Sequence, residues 1–182
     1  SMKLFLALNI FASGIIMYQV MKRHFNNDLA GFTAAVFYLF APYHLIDIHF
    51  KVVIGEILFF TLLPLGLYIL DRFIKVKNHL ELILYLGLVF SLLILSHVTL
   101  ALFAGVLYLC IAILLAFVNQ KQAKRILTST TIGLIIGGIL SIHIWTSPFQ
   151  MSKYTINQQL LSPSVYSVSL KDLIFSPYRF GF

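Results

Sequence analysis

Long apolar runs alternate with short polar breaks along most of this chain. Residues 4–20 form the first run, long enough to cross a hydrocarbon core of about 30 Å. It ends in Met21, Lys22, Arg23 and His24, and Asn26, Asn27 and Asp28 follow. That is a basic break and then a helix start, because an Asn or Asp side chain accepts from the free N–H groups of a first turn. A second run, 29–42, carries Ala30, Gly31, Ala34 and Ala35 and closes at Pro42. Small residues of this kind let helix backbones approach in lipid. The third run, 53–70, contains Pro64 and Gly66, which predict a kink that a membrane helix tolerates. After a polar break over 71–81, residues 82–118 are apolar apart from Ser96 and His97. One helix of that length would be about 55 Å long, far beyond a bilayer. The pattern therefore predicts two spans, 82–96 and 98–118, joined by a tight turn at His97. A further basic break over 119–125 leads into 126–146, where Gly133, Gly137 and Gly138 predict a close helix contact.

From Ser147 onward Ser, Thr, Asn, Gln and Tyr dominate, and Ser169 to Asp172 reads as a capping box opening a short helix that Pro177 ends. The expectation is an all-α, polytopic transmembrane helical bundle of about six spans in residues 1–148. An extracytoplasmic loop, or the start of a further region, then occupies 149–182. The abrupt start at Ser1-Met2 and the abrupt end at Phe182 read as the limits of a piece of a longer protein.

Composition agrees with the pattern. The chain is 60% hydrophobic and 10% charged, with a mean hydropathy of +0.95, where a soluble domain is about 25% charged. The net charge of +7 mostly sets topology. Lys22, Arg23, Arg72, Lys75, Lys77, Lys121, Lys124 and Arg125, eight of the 13 Lys and Arg residues, lie in three breaks that six alternating spans place on one side. The positive-inside rule makes that side cytoplasmic. The stretch 42–56, the His97 turn and the tail then share the outer side, with both termini. Because the cations are scattered over short loops and form no stripe, nucleic acid is not an expected partner; membrane lipid is. Cys110, the lone cysteine, reads as a packing residue, and His143 and Trp145 as interfacial anchors. His24 and His79 read as capping or snorkelling groups in cytoplasmic loops. No nucleotide-binding or nucleophile motif is present, and no cofactor is expected.

The stretch 42–56, PYHLIDIHFKVVIGE, concentrates His44, Asp47, His49, Lys51 and Glu56 between two apolar runs. A charge at a membrane-helix centre costs about 2.5–3.5 kcal/mol on insertion scales, so these groups predict contact with protein or water rather than lipid. On a continuous helix His44, Asp47 and Lys51 share one face, and His49 and Glu56 another. Lys51 is placed to hold a lipid phosphate, with Asp47 or Glu56 orienting it, and His97 lines the same outer cavity. Simpler readings are an interfacial loop, or an Asp47–Lys51 pair at i, i+4 that settles a helix end. Zinc on His44, His49 and His97 has no recognised ligand spacing in its favour, and no metal is assigned. Pairing of Asp47 with Glu56 as acid and base depends on the fold. The last expectation joins this stretch with the tail, whose Lys171, Asp172, Arg179, Tyr154, Tyr166 and Tyr178 would cover it.

Ala41 to Asp47, then Lys51, Gly55-Glu56 and Leu63-Pro64-Leu65, resemble the bacterial membrane family labelled 6-pyruvoyl-tetrahydropterin synthase-related, whose pattern is PY-x-L-x-D-x3-R-G-x2-GE before an LPL-type run. Leu95-Ser96-His97 resembles its later Ser-His turn, and Leu170 to Leu173 with Pro177 and Phe180-Gly181 resembles an outer-loop element of the family. The family's Arg-Gly is replaced here by Lys51-Val52, which keeps the charge and loses bidentate geometry. The soluble enzyme behind the label is a zinc protein of different composition, and this chain cannot form its fold. The resemblance implies an architecture similar to GT-C glycosyltransferases, which use polyprenyl-phosphate-linked sugars at the outer membrane face. The catalytic acid of such enzymes lies in a first outer loop that this chain lacks, so no catalytic residue is assigned. Two functions follow as expectations: a protein acting on lipid-linked sugars or cell-envelope polymers, or a non-catalytic scaffold or transport subunit of envelope assembly. A solute transporter is not favoured, as the spans show no inverted repeat.

Overall fold

A computed structural model describes residues 2–48, 53–76, 78–144 and 146. Its elements are α1 (Met2–Phe25), α2 (Asp28–Leu39), α3 (Pro42–Ile46), α4 (Ile54–Val76), α5 (His79–Ser96), α6 (Val98–Val118) and α7 (Ala123–Leu140), with a 3-10 turn at Gln120–Gln122 before α7. No strand occurs among the described residues. The helical unit closes at Ile144. The expected boundary at residue 148 and the tail beyond it lie outside the described residues.

Among the described residues, five helices are long and apolar enough to cross a membrane. This is a polytopic all-α membrane protein. The expected crossing at 29–42 differs in form. Asn27 caps α2 as its sequence predicts, accepting from Leu29 N at 2.8 Å and Ala30 N at 3.3 Å. With 12 residues, however, α2 rises only about 18 Å. Ala41, forced from the helical region by the proline after it, has φ −57° and ψ 132°, and Pro42 opens α3. The second apolar segment is therefore a short helix, broken from α3 at Ala41. It runs antiparallel to α4, with Tyr38 Oη donating to the Phe60 carbonyl at 2.7 Å and Tyr43 Oη to Glu56 Oε2 at 2.8 Å.

The first of these bonds also explains how α4 passes through Pro64. Proline has no N–H for the carbonyl four residues before it, which is that of Phe60. Tyr38 supplies the missing donor from the neighbouring helix, as buried backbone in a bilayer requires. One turn further along α4, Tyr108 Oη of α6 donates to the Leu63 carbonyl at 2.8 Å and lies directly over Gly66. Any side chain at Gly66 would occupy the position of that hydroxyl.

The most extensive helix contact among the described residues is between α5 and α7, and glycines line it. A Cβ on Gly137 would stand 2.7 Å from the Gly87 carbonyl, and one on Gly87 3.0 Å from the Gly133 carbonyl. Gly133 and Gly137 thus make the contact their spacing predicts, whereas Gly138 faces open space. Leu86, Leu93, Ile94 and Ile126 fill the surrounding core. Gly31 similarly seats α2 on α1, against the Tyr18 carbonyl and Lys22.

Several expectations are corrected, most of them at the basic end. Asp71 does not begin a loop, because α4 continues to Val76. Its carboxylate is buried, 3.2 Å from Arg23 Nε and 3.2 Å from His24 Nδ1 of α1. Arg23 and His24 of α1 thus give the acid partners inside the helix it extends. His24 accordingly pairs with Asp71 rather than capping or snorkelling, and His79 meets the buried Ser129 of α7 at 3.0 Å. Lys22 and Asp28 form an exposed pair at 2.6 Å across the α1–α2 turn. Cys110, expected to be packed, is exposed on α6.

Candidate functional site

Three backbone features build the opposite end of the bundle. The first is the turn between α5 and α6, which is the single residue His97. Its extended backbone (φ −159°, ψ 105°) ends one helix and starts the next, and its Nδ1 accepts from Leu100 N at 3.3 Å. The second is Gly55. A Cβ there would collide with the Ser96 carbonyl, so the first turn of α4 lies directly on the α5–α6 turn. The third is the break at Ala41, which brings Tyr43 back over α4.

Together they place Glu56. Its carboxylate is buried, receives the Tyr43 hydroxyl at 2.8 Å on Oε2, and has His97 Nε2 3.8 Å from Oε1. Nδ1 of His97 acts as the acceptor in the helix cap, so the proton of the neutral ring sits on Nε2, the atom that faces Glu56. Glu56 also lies in the first turn of α4, where free N–H groups favour an anion.

His44 and Asp47 sit on the other strand of this arrangement. His44 is 2% exposed, its ring tilted at 36° over Phe60 with centroids 4.7 Å apart and Nδ1 3.2 Å from the Tyr38 carbonyl. Asp47, at the end of α3, is fully buried in a widened turn. The expected His49–Glu56 face does not form, because Val53 lies outside any helix and α4 starts only at Ile54, while the His44–Asp47–Lys51 face falls partly outside the described residues. Glu56 thereby meets His97 and Tyr43 instead of sharing a helix face with His49. Lys51 and His49 lie outside the described residues, as do Lys171, Asp172, Arg179, Tyr154, Tyr166 and Tyr178 of the tail. Among the described residues no three His, Cys, Asp or Glu side chains converge as metal ligands.

Sequence reasoning missed Tyr43 as a site residue. Its signal is the Pro-Tyr pair itself: a proline that restarts a helix fixes the direction of the side chain after it. A cavity of about 350 Å³ lies at the basic end, lined by Val20, Leu67, Leu70, Ile111, Leu114 and neighbouring apolar groups, with His24 and Asp71. Those two polar groups already bind each other, so the cavity offers an apolar surface and little directed chemistry.

A family model described as "6-pyruvoyl-tetrahydropterin synthase related domain; membrane protein" matches residues 1–180. No curated protein and no solved structure matches the chain.

Proposed function

Taking as premise that the chain belongs to the 6-pyruvoyl-tetrahydropterin synthase related family of membrane proteins, we propose that its non-basic end binds a lipid-linked sugar, in a GT-C-like protein acting on such sugars or on cell-envelope polymers. The observation that carries this reading is Glu56: a buried carboxylate that accepts from the Tyr43 hydroxyl and lies 3.8 Å from His97 Nε2 at the end of a membrane bundle. Sugar hydroxyls are donors, and a carboxylate fixed in orientation is a strong acceptor for them. The positive-inside rule puts this end outside, where lipid-linked sugars of the envelope are used. Lys51 supplies the phosphate contact, with His44, Asp47 and His97 around the sugar.

The test is binding by the chain in lipid nanodiscs, using a short-chain prenyl phosphate and the corresponding prenyl-phosphoryl hexose. The parent binds both, and Glu56→Gln loses about tenfold in affinity for the hexose-bearing probe, equivalent to about 1.4 kcal/mol. Asp47→Asn weakens binding as well, and removing residues 150–182 weakens it without unfolding the helices. If Glu56→Gln binds the hexose-bearing probe as tightly as the parent, the site is not a sugar site. Binding without transfer to any supplied hydroxyl acceptor supports the scaffold function over the enzyme.

A further inference from the structure

The two histidines of this end are fixed by the backbone in opposite senses. His97 Nδ1 accepts from Leu100 N, which leaves the proton on Nε2. His44 Nδ1 faces the Tyr38 carbonyl at 3.2 Å. A carbonyl only accepts, so here Nδ1 carries the proton and Nε2 of the neutral ring is a bare lone pair. That nitrogen is buried, and it has no hydrogen-bond partner among the described residues. Buried polar atoms are nearly always satisfied, and leaving one unmet costs about 1–3 kcal/mol. Packing offers no relief, since Phe60 and Tyr38 flank the ring with aromatic surface.

We infer that His44 Nε2 is the hydrogen-bond acceptor for a hydroxyl of the ligand, making His44 a residue that distinguishes a sugar-bearing lipid phosphate from the bare lipid phosphate. The inference rests on the sugar-site reading above and deepens it. His44 then reads the ligand as an acceptor, which a sugar hydroxyl satisfies and a phosphate oxygen does not. The ring's second bond, from Nδ1 to a backbone carbonyl, holds the tautomer so that no proton has to move on binding.

The experiment uses the full chain with ¹⁵N-labelled histidine in lipid nanodiscs, the His44 signals being assigned by their loss in His44→Phe. In the ligand-free protein His44 is neutral with its proton on Nδ1. Its unprotonated Nε2 resonance shifts in the hydrogen-bonded direction when the short-chain prenyl-phosphoryl hexose is added, and stays in place with prenyl phosphate. In parallel, His44→Phe loses about tenfold in affinity for the hexose-bearing probe and keeps its affinity for prenyl phosphate, while His44→Gln recovers part of the loss. A proton on Nε2, a cationic ring, or an Nε2 signal unmoved at saturation with the hexose-bearing probe overturns the inference, and the spectra of the parent decide this even if His44→Phe does not fold. If the parent binds the hexose-bearing probe through Glu56 with His44 silent, this inference alone fails. If the parent binds neither probe, the sugar-site reading fails and takes this inference with it.

Discussion

The two ends of the bundle handle buried carboxylates in different ways. At the basic end Asp71 is met by the guanidinium of Arg23 and by His24, so an anion on α4 is answered by a cation on α1. At the other end the described contacts of Glu56 are a phenol and an imidazole whose ring proton already points at it. The first arrangement is a clasp: opposite charges lock two helices together and leave little for a ligand to do. The second is a set of oriented donors and acceptors. A carboxylate on α4 thus joins α1 through a guanidinium at one end, and at the other joins α3 and the α5–α6 turn through the Tyr43 hydroxyl and the His97 ring.

Several variants break or sharpen that contrast. Asp71→Ala has the largest effect, because it strands Arg23 against a mostly apolar cleft. Removing one partner of a fully buried pair costs about 3–5 kcal/mol. Arg23 is partly exposed, so a loss of about 2–3 kcal/mol is expected, read as a lower Tm in detergent, with probe binding at the far end unchanged. A fall in binding equal to that of Glu56→Gln would erase the distinction between the ends.

Gly55→Ala comes next. Its methyl group meets the Ser96 carbonyl, and overpacking of this kind costs about 1–3 kcal/mol. Here the loss of stability is accompanied by loss of probe binding, since the α4 and α5–α6 turns separate. Gly138→Ala is the matched control: the space there is open, and replacing a helical glycine gains up to about 1 kcal/mol. If Gly55→Ala leaves Tm and binding untouched, the close approach that places Glu56 does not exist in the membrane.

Tyr43→Phe removes one hydrogen bond and keeps the ring against Phe60. A stability loss of about 1 kcal/mol is expected, together with weaker binding of the hexose-bearing probe. The smallest effect belongs to Lys22→Met. The Lys22–Asp28 pair is exposed, such pairs contribute about 0–1 kcal/mol, and the change in Tm should vanish in high salt. A Lys22→Met loss as large as that of Asp71→Ala would mean that exposure does not separate the two pairs.

How far the sequence foretold each end follows from the kind of signal each carries. The His97 turn was legible because helix rise and bilayer thickness leave no other reading of 37 apolar residues. The Asn27 cap and the Gly133–Gly137 contact were legible because each depends on local spacing. Asp71 was read into a loop because a charge after an apolar run marks a boundary unless a partner lies within reach, and Arg23 is 48 positions away in the sequence. The same distance problem hid the meeting of Tyr43, Glu56 and His97, although two of the three were named. The tautomers of His44 and His97 were beyond the sequence altogether, since they depend on which backbone atom each ring nitrogen meets.

The one-residue turn at His97 has a consequence for how the protein enters its membrane. α5 and α6 form a hairpin of 40 residues, 79–118, with no polar loop at its tip. Under the proposed orientation, insertion carries no charged segment across the bilayer here; the single imidazole at the bend makes the passage. The lysines on either side, Lys77 before and Lys121 after, remain where they were synthesised. The pair can therefore be released into lipid as one unit, with the capping bond to Leu100 N already able to form within it and Glu56 of the preceding helix waiting for the ring as it arrives.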